Sequence, residues 1–401
     1  MLRIARAALL VFLATPLAAA DYPSPNEDDY VVTDFAFTNG ERLPRLNLHY
    51  TTIGTPVKNA AGLVTNAVLI MHGTGGSGHG FLTPTFAGEL FGAGQLLDAT
   101  KYFIILPDDI GHGKSSKPSD GLHMKFPHYT YTDMVHGEYR VVAEKLGVNH
   151  LRLVMGTSMG AMHTWMWGTM YPDFMDALMP LAAAPVEIGG RNRMLRKMIM
   201  DSIKRDPNWN NGEYQGPLSN MVAANFALFM MTSSPLQLLK QAPTREQADA
   251  LFERRFYDAR PVDANDMLYH FDSSRDYNPR PGLEKIKAPL FAVNSADDQV
   301  NPPELGILER EIKRVKRGRY ILIPTSDETR GHGTHSIPAI WGKYLAELLK
   351  ESGEWVGRGM RVSKISSPPF NRCAPMERHT RSRARSPGLI RPSFPQDLRP
   401  A

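Results

Sequence analysis

The chain has 401 residues, 42% hydrophobic and 22% charged, which suits a soluble globular protein with a large core and excludes a disordered or fibrous chain. Its net charge of +5 is misleading: ten Lys/Arg against two Asp/Glu after Val356, with Arg3 and Arg6 at the other end, leave the body mildly acidic, which argues against a nucleic-acid surface there. The single cysteine, Cys373, excludes an internal disulfide framework.

Arg3 and Arg6, an apolar run over 7–14 and Ala18-Ala19-Ala20 read as a secretory signal peptide over 1–20, so export to the periplasm or outside is expected. No later window is long and apolar enough to cross a bilayer. Strands are expected at 31–37 and 46–52, then at 67–71, which ends in glycine-rich sequence, and at 102–106, which ends at Pro107-Asp108-Asp109. Val135, Tyr139, Val142 and Leu146 share one face of a helix over 132–146. Further strands are expected at 151–155, 177–184, 289–294 and 320–324, with a closing amphipathic helix marked by Trp341, Leu345 and Leu348. Strands alternating with helices imply an α/β fold with a mostly parallel sheet covered on both faces. The pattern changes between Pro185 and Pro289, where helical periods run without a clear strand. The core is therefore read as 21–185 and 288–350, with a helical cap inserted over 186–287. From 351 the composition reads as a disordered basic tail.

The motif Gly156-Thr157-Ser158-Met159-Gly160 lies between a strand and a helix. That setting is the one a nucleophile elbow requires: a tight turn lifts the serine Oγ above the carboxyl edge of the sheet. A serine hydroxyl needs a base, and in this arrangement the order is Ser, acid, His. Asp298, in Asp298-Gln299-Val300-Asn301-Pro302, is the chosen acid, with Asp297 as the alternative. His332, set between Gly331 and Gly333, is the chosen base, with His335 as the alternative. An oxyanion hole would use the backbone N–H of Met159 and one from the loop His72-Gly73-Thr74-Gly75, with Thr74 ahead of Gly75. The glycines after His72 lack the Gly-Lys-Ser/Thr of a phosphate loop, and His72 and His79 have no matching ligand pair; no cofactor and no metal are expected. In the cap, Phe226, Phe229, Met230 and Met231 are read either as an apolar pocket or as cap core.

On these motifs, together with Asp263-Ala264-Asn265-Asp266-Met267 in the cap, the stretch 35–349 resembles the α/β-hydrolase superfamily, and more closely its homoserine O-acetyltransferase (MetX-like) branch. The resemblance implies an acyl-enzyme on Ser158 completed by Asp298 and His332, a helical cap, and a homodimer through that cap. The chain departs from the branch in one segment. Homoserine-acetylating members carry a Gly-Ser-Thr-Gly-Pro core after the fourth strand, where this chain has Pro107-Asp108-Asp109-Ile110-Gly111-His112-Gly113-Lys114-Ser115. With export, this favours water as acyl acceptor. The expected function is a serine hydrolase cleaving a small-molecule ester, or an amide. An acyltransferase is the alternative, and a non-catalytic binding protein on the same scaffold is the third reading.

Overall fold

The structure, a computed structural model, describes residues 21–257 and 262–357. The expected signal peptide at 1–20, Cys373 and nearly all of the expected tail lie outside the described residues. At the N-terminal side, β1 (Asn26–Ala36) and β2 (Arg42–Ile53) make a long antiparallel hairpin. There follow β3 (Ala67–Met71), the single turn α1 (Ala87–Leu90), β4 (Phe103–Pro107), α2 (Tyr131–Arg140), β5 (Leu153–Thr157), α3 (Met159–Met170) and β6 (Leu178–Leu181). Five helices then intervene: α4 (Gly190–Lys204), α5 (Met221–Thr232), α6 (Pro235–Gln241), α7 (Arg245–Phe256) and α8 (Ala264–Asp272). The chain returns through β7 (Leu290–Ser295), α9 (Ile307–Glu311), β8 (Gly318–Ile323) and α10 (Pro338–Gly357).

The eight strands form one sheet in the order β1-β2-β4-β3-β5-β6-β7-β8. Only the β1–β2 and β2–β4 pairs are antiparallel; the other five run parallel. The inner strands read as continuous apolar runs because both faces are covered. Leu69, Met71 and Val154 point into the layer shared with α2 and α3. Their neighbours Val68, Ile70, Leu153 and Met155 point into the opposite layer, with Trp341, Leu345 and Leu348 of α10. Each such side chain contributes about 1.5–3 kcal/mol by leaving water.

Three boundaries differ from the sequence expectation. β1 begins at Asn26, five residues before the apolar run at 31, and Glu27, Asp28 and Asp29 stay exposed on the edge strand. The helix expected over 132–146 is α-helical to Arg140 and then widens into a π turn, Val141–Lys145. Its start is set by a capping box: Asp133 N–H donates to Thr130 Oγ1, and the Asp133 carboxylate accepts from Thr130 N–H. The closing helix continues to Gly357, past the point at 351 where hydrophobic periodicity fades.

Within the insertion, α4, α5 and α8 share a small core of their own, including Ile199, Ile203, Ala224, Met267 and Phe271. α6 and α7 contain no buried residue. Among the described residues no single helix is long and apolar enough to cross a membrane.

Candidate active site

β5 delivers the chain to Ser158 at the carboxyl edge of the sheet, and α3 starts at the next residue. Ser158 sits at φ 55°, ψ −109°, a backbone conformation that few non-glycine residues adopt. Two glycines make the turn possible. A Cβ on Gly156 would lie 2.3 Å from the Gly160 carbonyl carbon, and a Cβ on Gly160 would lie 2.1 Å from the Met71 carbonyl oxygen. Nothing larger fits either position.

Ser158 Oγ lies 2.8 Å from His332 Nε2. On the far side of the ring, His332 Nδ1 lies 3.0 and 3.1 Å from the two oxygens of Asp298. Asp298 is fully buried after β7, and His332 is buried on the loop after β8. Burial alone would raise the Asp298 pKa, but the His332 ring and the backbone N–H groups of Val300 and Asn301 outweigh it and hold the carboxyl below its ordinary range.

The neighbouring carboxylate has a different place. Asp297 accepts from Ser295 Oγ, from Thr329 Oγ1 at 3.0 Å and from Gly331 N–H at 2.9 Å. It therefore ties the acid-bearing loop to the histidine-bearing loop. His335 packs edge-to-face against His332, with ring centroids 5.1 Å apart, and its Nδ1 meets Ser336 Oγ. Burial, followed by the neighbouring His332, pushes the His335 pKa down to about 3.

Thr74 lines the same cavity as Ser158, and Gly73 approaches so closely that a Cβ there would sit 3.4 Å from the Ser158 Cβ. Met159 is the first residue of α3, where a backbone N–H has no intrahelical acceptor. The loop and the helix are fastened together by Gly160 N–H donating to His72 O at 2.9 Å. Gly75 stands at φ 74° beyond Thr74 and does not line the cavity.

The cavity over Ser158 measures about 550 Å³ and is walled on the cap side by Arg196, Leu228, Met231 and Phe271. Of the four cap residues read either as an apolar pocket or as cap core, only Met231 lines it. Phe229 lines a separate cavity in the cap, while Phe226 and Met230 are 37% and 51% exposed. Phe226 and Phe229 instead pack against Phe252 and Phe256 of α7, so α5 turns its second face to that helix.

Arg196 is a residue that the sequence reading missed. It is buried on α4; its Nε meets Asn192 Oδ1 at 2.9 Å, its Nη1 meets Ser274 Oγ at 3.1 Å, and its guanidinium lies over the Phe271 ring. No carboxylate stands at ion-pair distance from it among the described residues. The sequence held a signal: Arg196, Ile199, Met200 and Ile203 follow the i, i+3, i+4, i+7 pattern of a buried face, which puts a charge where an apolar residue is expected.

Also missed was a buried polar group made by Asp109, Glu138 and His163, whose potential ligand atoms lie within 4.8 Å of one another. Both Glu138 oxygens already accept hydrogen bonds at 2.6 Å, from His163 Nδ1 and Trp167 Nε1. This is the donor–acceptor pattern of a hydrogen-bonded cluster, not of an open coordination site.

A sequence model of the family described as alpha/beta hydrolase fold matches residues 66–327. A protein of Methanothermobacter thermautotrophicus named "Probable acyltransferase" is 26% identical over 317 residues, covering 79% of this chain and 94% of its own. The homoserine O-acetyltransferase of Methanohalobium evestigatum is 26% identical over 312 residues, covering 67% of this chain and 62% of its own. Among solved structures, that of esterase E22 superposes with a TM-score of 0.69 at 21% identity, covering 81% of this chain and all of that one.

Proposed function

Since the chain belongs to the alpha/beta hydrolase fold family and resembles its homoserine O-acetyltransferase branch, we propose that it moves an acyl group by way of an ester on Ser158. The observation that carries the reading is the relay from Ser158 Oγ to His332 Nε2 at 2.8 Å and from His332 Nδ1 to Asp298 at 3.0 Å. In the forward step Ser158 attacks the substrate carbonyl and gives its proton to His332. The developing oxyanion is received by the N–H groups of Thr74 and Met159. His332 then protonates the leaving group, and Asp298 keeps the imidazole in the tautomer with Nδ1–H. An acceptor enters, loses its proton to the same ring, and carries the acyl group away.

The curated sequence relatives back acyl transfer to a hydroxyl better than they back hydrolysis. A specific feature agrees: Arg196 offers a buried guanidinium, without a carboxylate of its own, on the wall of the Ser158 cavity. An acceptor or acyl group bearing a carboxylate would pair with it. Hydrolysis of an ester is the second reading, favoured by the segment Pro107–Ser116 and by the export expected from the sequence of 1–20, which would separate the enzyme from a cytoplasmic acyl donor.

Nitrophenol release from p-nitrophenyl acetate, followed with and without L-homoserine, tests the choice. Faster release with O-acetylhomoserine formed supports acyl transfer; steady release indifferent to homoserine sinks it for that acceptor. Arg196→Met is expected to lower kcat/KM for a carboxylate-bearing acceptor or ester about 10- to 100-fold more than for its neutral counterpart, the worth of a charge-assisted pair. Equal losses on both would remove Arg196 from recognition. Asp298→Asn is expected to lower kcat about 10⁴-fold with little change in KM, because the amide favours the wrong tautomer of His332. A loss under tenfold would assign the orienting task elsewhere.

A further inference from the structure

Four segments each contribute one polar side chain to a buried cluster: His72 after β3, Asp109 after β4, Glu138 of α2 and His163 of α3. All four are buried. The hydrogen positions can be worked out from the partners. Asp109 N–H donates to His72 Nε2 at 3.2 Å, so that nitrogen carries no proton. His72 Nδ1–H donates instead to Gly73 O at 2.8 Å. His163 Nδ1–H and Trp167 Nε1–H occupy the two oxygens of Glu138. The carboxyl of Asp109 then has neither oxygen hydrogen-bonded to any donor. Its Oδ2 lies 3.6 Å from the bare His72 nitrogen and 3.6 Å from His163 Nδ1, whose proton is already given to Glu138.

An ionised carboxylate here would be out of water, without a donor, and beside a second carboxylate. A proton resolves the conflict, because an acid O–H brings its own donor. A cation is the poorer fit, since each Glu138 oxygen already accepts an N–H and His163 Nδ1 has given its proton to one of them.

We infer that Asp109 and Glu138 hold one proton between them, and that this acid pair is a positioning element which fixes His72, and with it the Gly73–Thr74 turn, against the start of α3. The link to the site runs through both parts of Asp109: its backbone N–H is taken by His72 Nε2, its Oδ2 stands 3.6 Å from the same nitrogen, and the His72 carbonyl takes the Gly160 N–H. The inference rests on the Ser158 reading for its effect on rate, though not for its effect on stability.

The groups facing the pair are His72, with His112 5.1 Å beyond it, His163 and Trp167 of α3, Tyr131 against His163, and Tyr129, Tyr171 and Asp276 acting through space. His72 turns an unprotonated nitrogen to Asp109, and burial pushes the pKa of His163 and of His112 down. Burial pushes Glu138 up to about 7, and pushes Asp109 well above the usual carboxylate range, with Glu138 raising it further. Both folded values lie above the unfolded ones, so the folded state binds more protons. Stability from the pair is full below the ordinary carboxylate range and falls as pH rises from there through about 7 and beyond.

The test uses the full chain, with Asp109→Asn and Asp109→Leu compared with the native protein. Thermal midpoints, kcat and KM on p-nitrophenyl acetate are measured from about pH 5 to about pH 9, together with bound metal by elemental analysis. Asp109→Asn should keep kcat within about threefold and flatten the alkaline decline in midpoint, since it replaces a neutral acid by a neutral amide. Asp109→Leu should lose about tenfold or more in kcat with KM nearly kept, because the turn that receives the oxyanion shifts. The proposal is overturned if Asn is as damaging as Leu, if Asn and native protein share one midpoint–pH curve, or if the native protein carries stoichiometric metal. Should Ser158 prove dispensable, or Leu fail to fold, the midpoint curves of the native protein and Asp109→Asn still decide.

Discussion

Ser158→Ala is expected to lower turnover of an activated ester by about 10⁴- to 10⁶-fold, the range seen when a nucleophile acting with its base is removed. The substitution is a clean one. Alanine keeps the Cβ that the elbow already tolerates, so the fold and the cavity of about 550 Å³ should persist. Two measurements read it: nitrophenol release and covalent labelling by a fluorophosphonate. Loss of both at an unchanged thermal midpoint supports the acyl-enzyme. Undiminished labelling of the variant would place the nucleophile elsewhere, and no labelling of the native protein would revive the non-catalytic reading.

The second large effect concerns a residue without a side chain. Gly160→Ala would put a Cβ 2.1 Å from the Met71 carbonyl oxygen, a backbone atom in the centre of the sheet. Neither side can yield cheaply, because β3 is hydrogen-bonded to strands on both sides and α3 is anchored by Gly160 N–H to His72 O. The expected cost is about 3 kcal/mol or more, at the upper end of overpacking effects. That corresponds to a fall in thermal midpoint of about 4 °C or more for a domain of this size, or to insoluble protein. A native midpoint together with a native labelling rate would show the elbow to be looser than its geometry implies.

The inner strands were legible because a strand buried on both faces is a continuous apolar run: β3 spans the same residues, 67–71, that the run marked out. The edge was less so. Glu27, Asp28 and Asp29 extend β1 by backbone pairing with β2, and pairing leaves no mark in hydropathy. At the site, the strand–turn–helix setting of Gly156–Gly160 pointed to Ser158 from sequence alone. The frame 298–302 ranks Asp298 above its neighbour but carries no direction; in the structure Asp298 faces His332 while Asp297 holds Gly331. Arg196 left a faint trace in its helix period. The group of Asp109, Glu138 and His163 left none, because its members come from three separate segments and become notable only once burial strips away their water.

The backbone of Ser158 carries a final consequence, for the protein's history rather than its chemistry. At φ 55°, ψ −109° a residue with a Cβ is held where only the surrounding structure keeps it, at about 1–3 kcal/mol. Selection for folding alone would drift this position toward glycine, which takes such angles freely. On the proposed acyl-enzyme reading, the demand for a hydroxyl here is what would outweigh that drift. In a lineage released from catalysis, this is where a gain in robustness and the loss of activity would coincide in a single substitution.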